Sequence, residues 1–409
     1  MVQRGQQKMA TKRRLLWIGD AGVNTGFARC THEILKELAP KFDVHVLALG
    51  YDGDSGHGLP WPIYRASAGG DPLGIGRVAN LVSKLGPTVV VIQNDPWNFP
   101  LYLKQAGNST VVGVVAVDGK NCRGTLMNGL ASAIFWTKFG EEQARLGGYS
   151  GQSAVVPLGV DTDIYYPQQK AQVRERMNLP AILQTRGLPA DTFIVGVVGR
   201  NQQRKRLDLT LEYFAEWIHA YEVPDAALWV QQAPTGERAY DLEQLGRYYK
   251  ISDRLIMPAP VSDQQGVPEQ VMARVYNVFD AMISTTQGEG WGLPQMEGMA
   301  CGVPQIVPRW SALEEWATAA MLVSCSSTAA TPQAVNVIGG IADRRLFCVA
   351  LDQMYRNKDV RAQHVADGLQ LVKRPEYRWP SIGKSMLTAI DQAIFQQPVD
   401  TQKQQEQPA

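Results

Sequence analysis

The chain has 409 residues, enough for about two domains that each bury a core of their own. Lys and Arg number 40 against 39 Asp and Glu, a net charge of +1, so no global field marks a nucleic-acid or anionic-membrane binder. No run of about 18 apolar residues reads as a membrane span, and Cys30, Cys122, Cys301, Cys325 and Cys348 are scattered without a C-x-x-C, which fits reduced thiols in a cytoplasm.

Residues 1–13 are basic and lack the apolar stretch of a secretory leader, so they read as a flexible arm; the sharper alternative is phosphate contact on a polyanionic partner. A first domain is expected over residues 14–167. Apolar runs at Leu15 to Ile18, Val44 to Leu49, Thr88 to Ile92, Val111 to Val117 and Ala133 to Trp136 read as strands. Between the first two, Phe27, Cys30, Ile34 and Leu38 recur at helical spacing. Such alternation predicts an α/β fold with a parallel sheet, whose ligands bind beyond the carboxyl ends of the strands.

Three of the loops that follow these strands are loaded. Gly19, Gly22 and Gly26 open a helix but do not make G-x-G-x-x-G, so a dinucleotide site is not indicated; the bland alternative is a turn capped by Asn24 or Thr25. Asp95 and Trp97 follow a later strand, where a tryptophan stacks on a sugar or a base or simply packs into the core. Asp118 ends an apolar strand and precedes a glycine; it either orients or partly deprotonates an acceptor hydroxyl, or caps a turn. Asp161-Thr162-Asp163 is formally a D-x-D, yet it sits in a boundary segment rich in Pro and Gly, and the five histidines lack ligand spacing. No metal is expected.

A second domain is expected over residues 168–379, entered through a polar stretch from Gln168 to Asp191. Phe193 to Val198 reads as a buried strand, followed by a basic loop carrying Arg200, Arg204, Lys205 and Arg206. Leu228 to Gln231 and Leu255 to Pro258 read as further strands, and Val271 to Phe279 as a helix. The apolar run Ala281 to Ser284 then meets a loop with Gly288, Gly290 and Gly292; Pro294 suits the first turn of a helix, and Gly302 stops it. Free amides at a helix start favour a phosphate. Glu289 and Glu297 would repel a bare phosphate but suit a ligand that also offers hydroxyls. A nucleotide-sugar carries both. Residues 380–396 read as a last helix, and the Gln-rich 397–409 as a disordered tail.

The run E-G-W-G-L-P-Q-M-E-G-M-A-C-G-V-P resembles the E-x7-E signature of retaining, nucleotide-sugar-dependent glycosyltransferases of the GT-B fold, family 4-like. V-V-P-L-G-V-D and G-R-x4-K resemble two further segments of that family, although Arg206 stands where a glycine often follows the lysine. The resemblance implies two Rossmann-like domains facing across a cleft, with the C-terminal helix crossing back to cover the first. It implies donor contacts from Asn24, Thr25, Gly26, Arg200, Lys205, Ala259, Val261, Glu289, Gly290, Trp291, Gly292, Leu293 and Glu297. Arg200 and Lys205 would neutralise the leaving diphosphate without a metal, Glu289 would hold a sugar hydroxyl, and Glu297 would accept from the ribose. Asp118, with Asp95 and Trp97, would face the acceptor.

The Q-N-D-P-W-N and V-A-V-D-G segments also resemble phage-encoded transferases that glycosylate hydroxymethylated bases in DNA. DNA is therefore one expected acceptor, beside a saccharide or small molecule. Two other readings remain: a nucleotide-sugar epimerase, disfavoured by the few histidines, and a non-catalytic nucleotide-sugar-binding protein. The donor sugar, its base and the oligomeric state stay open.

Overall fold

The computed structural model describes residues 12–22, 25–51, 53, 58–66, 70–231, 239–258, 267–332 and 335–395. Asn24, Ala259, Val261, residues 1–11 of the expected arm and the tail at 397–409 lie outside the described residues.

Seven parallel strands form the first sheet: β1 (Arg13–Asp20), β2 (Phe42–Leu49), β3 (Ile63–Arg65), β4 (Val89–Asn94), β5 (Val111–Val115), β6 (Ser132–Phe135) and β7 (Ser153–Val155). Their order in space is β3-β2-β1-β4-β5-β6-β7. Arg13, assigned to the arm from sequence, instead begins β1, where its guanidinium is held 2.6 Å from Asp391. Helices α1 (Gly26–Leu38), α2 (Ile75–Leu85), α3 (Phe99–Ala106) and α4 (Lys138–Leu146) cover this sheet. Every residue of β4 and β5 is buried, which is why those strands read as unbroken apolar runs rather than as alternation.

Two short helices, α5 (Lys170–Arg176) and α6 (Leu179–Thr185), occupy the stretch that reads as a polar link; each buries only one or two apolar residues, too few to show as periodicity. The second sheet holds β8 (Phe193–Val198), β9 (Ala226–Gln231), β10 (Leu255–Ile256), β11 (Ala281–Ile283), β12 (Gln305–Pro308) and β13 (Met321–Val323), ordered β10-β9-β8-β11-β12-β13 and again parallel. Around it lie α7 (Leu207–Ala220), α8 (Leu242–Tyr248), α9 (Glu269–Val278), α10 (Leu293–Ala300), α11 (Ser311–Trp316), α12 (Arg344–Arg356) and α13 (Lys358–Leu371). An antiparallel hairpin, β14 (Cys325–Ala330) with β15 (Ile338–Ala342), stands apart from both sheets.

The final helix, α14 (Trp379–Phe395), leaves the second lobe and packs on α1 of the first. Gly383 makes that approach possible, because a Cβ there would lie 2.2 Å from the Cβ of Glu37. One buried apolar cluster runs from Trp17 and Ile34 through Trp291, Trp316 and Tyr377 to Met282 and Trp229, so the two lobes share a seam. No helix of the described residues is long and apolar enough to cross a membrane.

The strand order places two crevices. In each sheet the order reverses between two neighbouring strands, β1 and β4 in the first and β8 and β11 in the second. Loops diverge there, leaving a concavity at the carboxyl ends. The four loops at these points carry Thr25, Asp95, Arg200 to Lys205, and Glu289.

Candidate active site

The loop after β11 is stitched to the loop after β8. The Gln287 amide donates to the Arg204 carbonyl at 2.8 Å, and the Thr285 hydroxyl to the Arg206 carbonyl at 2.7 Å. This stitching puts Arg204 and Lys205 beside Glu289. Lys205 Nζ lies 2.5 Å from Glu289 Oε1, and Arg204 Nη1 lies 2.9 Å from Oε2 and also donates to the Gly288 carbonyl. Glu289 is 5% exposed. Burial alone would raise its pKa, but the two cations outweigh that and hold the carboxyl down at about 2. Burial lowers the Lys205 pKa despite the opposing pull of Glu289.

Arg204 reaches further. Its Nε lies 3.1 Å from Asp118 Oδ2, so one guanidinium of the second lobe joins an acid of each lobe. Close packing enforces the contact: a Cβ at Gly288 would lie 1.9 Å from the Asp118 carbonyl oxygen. Burial raises the Asp118 carboxyl above its ordinary value, with Arg204, Lys205 and the Gly290 amide opposing and Glu289 adding to the rise. Asp95, raised by burial and then by Asp118, reaches about 7.

Glu297 projects from α10, which starts as the sequence predicts, with Pro294 in its first turn and Gly292 at φ +96 as its N-cap. Gly302, at φ +74, follows its end. The Glu297 carboxylate is 3% exposed. It accepts from Tyr276 Oη at 2.6 Å and from Arg29 on α1 of the opposite lobe. Arg29 also donates to Tyr165 Oη at 3.1 Å. A carboxylate offers about four acceptor positions, so these contacts leave acceptor capacity over.

Thr25 is the N-cap of α1: its hydroxyl accepts from the Ala28 amide and donates to Asp20 at 2.8 Å. Burial raises the Asp20 carboxyl, with the Thr25 hydrogen bond and Arg200 opposing. Arg200 is exposed and has no ion pair among the described residues. Trp97 is 38% exposed at the cleft wall. Trp291 lies on the cleft too, but its ring is stacked on Trp316 at 5.1 Å and is 3% exposed. Asp161, within the D-x-D, instead accepts from the Asp163 amide at 2.8 Å.

Thr25, Arg29, Asp95, Trp97, Asp118, Arg200, Arg204, Lys205, Tyr276, Glu289, Trp291 and Glu297 line one cleft of about 770 Å³ between the lobes, together with Gly26, Gly290, Gly292 and Leu293. That volume suits a ligand of nucleotide-sugar size. The tip of the β14–β15 hairpin closes one side: Lys120 and Ile338 exchange two backbone hydrogen bonds of 2.9 Å. Sequence reasoning missed Arg29, Tyr276, Asp20 and the role of Arg204. Only Arg204 left a signal, as the extra cation inside the basic loop.

Residues 192–338 match a family model described as "Glycosyl transferases group 1". The D-inositol 3-phosphate glycosyltransferase of Acidothermus cellulolyticus is 27% identical over 179 residues, which is 42% of this chain and 37% of that protein. Its counterpart from Mycolicibacterium smegmatis is 30% identical over 155 residues, 37% of this chain and 31% of the relative. The chain thus spans about a third to a half of the length of the curated relatives it matches. Among solved structures, sucrose-phosphate synthase from Thermosynechococcus elongatus superposes with a TM-score of 0.70 at 17% identity, covering 93% of this chain and 99% of the other. Anabaena HepE, solved in complex with UDP and glucose, gives 0.69 at 12% identity, with 93% and 99% covered. The architecture is the two-lobed GT-B fold.

Proposed function

With a group 1 glycosyl transferase domain at residues 192–338 and a GT-B fold as premise, we propose that this protein is a retaining glycosyltransferase. It moves a sugar from a nucleoside-diphosphate sugar to a hydroxyl acceptor. The observation that carries the reading is the meeting of Arg200, Arg204 and Lys205 with Glu289 and Glu297 in one interlobe cleft. The diphosphate lies against Arg200 and Lys205, whose fixed charge stabilises the oxygens as the sugar departs. That charge serves the role a divalent ion would otherwise fill, so turnover is metal-independent. Glu297 accepts from the ribose, the Glu289 loop holds the sugar, and amides from Gly290 to Leu293 meet the donor.

Asp118 and Asp95 face the acceptor from the first lobe. On this route the leaving phosphate takes the acceptor proton on the face it vacates, and Asp118 orients the hydroxyl. A UDP-sugar is the first donor to try, because the Anabaena neighbour was solved with UDP and with glucose. The acceptor panel holds saccharides, polyols, their phosphates, and DNA with hydroxymethylated bases. For DNA, turnover must fall steeply with added salt. Five thiols without a disulfide, four of them buried, fit a reducing cytoplasm as the place of action.

The test is incubation with UDP- and GDP-sugars, reading nucleoside diphosphate release with and without acceptors, with chelator present, and reading the product anomer by NMR. The expected result is release that the chelator does not stop, with the donor anomer kept. Binding without release from any donor would leave a non-catalytic module, and a converted sugar still on its nucleotide would mean an epimerase.

A further inference from the structure

Arg204 is the only residue among those described whose side chain forms ion pairs with an acid of each lobe inside the cleft. Its guanidinium spends Nε on Asp118 at 3.1 Å and Nη1 on Glu289 at 2.9 Å and on the Gly288 carbonyl. Glu289 does not depend on it alone, since Lys205 Nζ sits 2.5 Å away. Asp118 does: Arg204 is its one ion-pair partner among the described residues. The charged and titratable groups that face Asp118 are Arg204, Lys205 and Glu289 from the second lobe and Asp95 from its own.

We propose that Arg204 is a positioning residue of the acceptor side, which aims Asp118 at the acceptor hydroxyl and keeps it ionised against burial while the two lobes are closed on each other. This deepens the transferase reading and rests on it. The residue belongs by sequence to the donor lobe, yet its effect is on the acid of the facing lobe. When the lobes part, Asp118 loses the guanidinium and the Gly290 amide together, and water replaces both the burial and the contacts that aim it. The acceptor acid would thus be aimed only in the closed state. Lysine is a poor replacement, because an ammonium lacks the planar fork that serves two acids at once.

The sign follows from which proton is held. Asp118 acts as a carboxylate, and its pKa is already raised. Without Arg204 the pKa rises further, so the acidic limb of the rate profile moves to higher pH.

The experiment uses the full chain and the donor that the panel above identifies. Nucleoside diphosphate release and transfer are followed from pH 5 to pH 9 for wild type, Arg204→Gln, Arg204→Lys and Asp118→Asn, and UDP binding is measured for each. For Arg204→Gln the acidic limb of kcat should move up by about one pH unit or more, with about a tenfold loss near neutral pH. Arg204→Lys should fall between, the limb should be missing in Asp118→Asn, and a double variant carrying Arg204→Gln and Asp118→Asn should be no slower than Asp118→Asn alone. UDP binding should stay within about threefold of wild type, since Arg200 and Lys205 remain. Binding that persists shows that the variants fold; should Arg204→Gln not fold, Arg204→Lys carries the same test. An unmoved limb in an active, UDP-binding variant overturns the proposal. A wild-type enzyme that releases nothing from any donor overturns the transferase reading instead.

Discussion

Lys205 and Glu297 line the same cleft but should fail in different ways. Lys205 has a pKa lowered by burial and a single carboxylate partner, Glu289, and on the proposed route it stands where charge grows on a departing diphosphate. Such a group matters more in the transition state than in the bound donor. Lys205→Ala should therefore lower kcat by about a hundredfold or more, with KM for the donor changed by less than about threefold. On the same proposed route Glu297 offers its oxygens to hydroxyls that do not change during transfer, so Glu297→Ala should mainly raise the donor KM, by about tenfold, with kcat near wild type. The alanine also strips Arg29 of its partner, and Glu297→Gln serves as the gentler comparison. Steady-state kinetics on both variants decide it; a kcat defect at Glu297 with an intact Lys205 variant would reverse the roles.

At the scale of single elements, α10 and its leading loop show what the chain made legible and what it did not. Pro294 in the first turn and the glycines that bracket the helix are local signals, readable from backbone preference alone. Gly292 carries the strictest demand: φ is +96, and a Cβ would come 2.8 Å from a Leu313 methyl. Gly292→Ala should cost about 1–3 kcal/mol of stability from strain and crowding. It should also blunt donor binding, because the neighbouring amides move; a melting temperature and a UDP affinity equal to wild type would count against this account. The buried strands were equally plain, since β4, β5 and β8 are nearly all apolar. The β14–β15 hairpin was not, because Cys325–Ala330 is a mostly exposed run of small and polar residues with no apolar alternation to find. Arg29 stayed invisible for another reason: its partner Glu297 lies 268 positions away, and a lone arginine on a helix reads as a solvated face.

On the scale of the whole molecule, two kinds of contact tie the lobes together, and their magnitudes differ. Polar ties include the Glu315 carboxylate, which accepts from the Lys138 and Phe139 amides at 3.0 and 2.8 Å and so caps α4 from the opposite lobe. An exposed cap of this kind contributes about 1 kcal/mol. The apolar seam is larger. Tyr377, at the crossing into α14, packs edge-on to Trp291 of the second lobe at 5.8 Å, and so holds its carbonyl against Gly159 of the first lobe, where a Cβ would sit 2.3 Å away. Truncating a buried aromatic costs about 3–5 kcal/mol. The seam should therefore govern lobe closure, and the cap should only trim it. Tyr377→Ala should enlarge the radius of gyration of the free protein in small-angle scattering, with UDP restoring the compact form and the donor KM rising. Glu315→Ala should leave the scattering curve unchanged and lower the melting temperature by only a few degrees. If Glu315→Ala opens the lobes while Tyr377→Ala does not, closure is held by polar ties, and the aromatic seam is a passive filler.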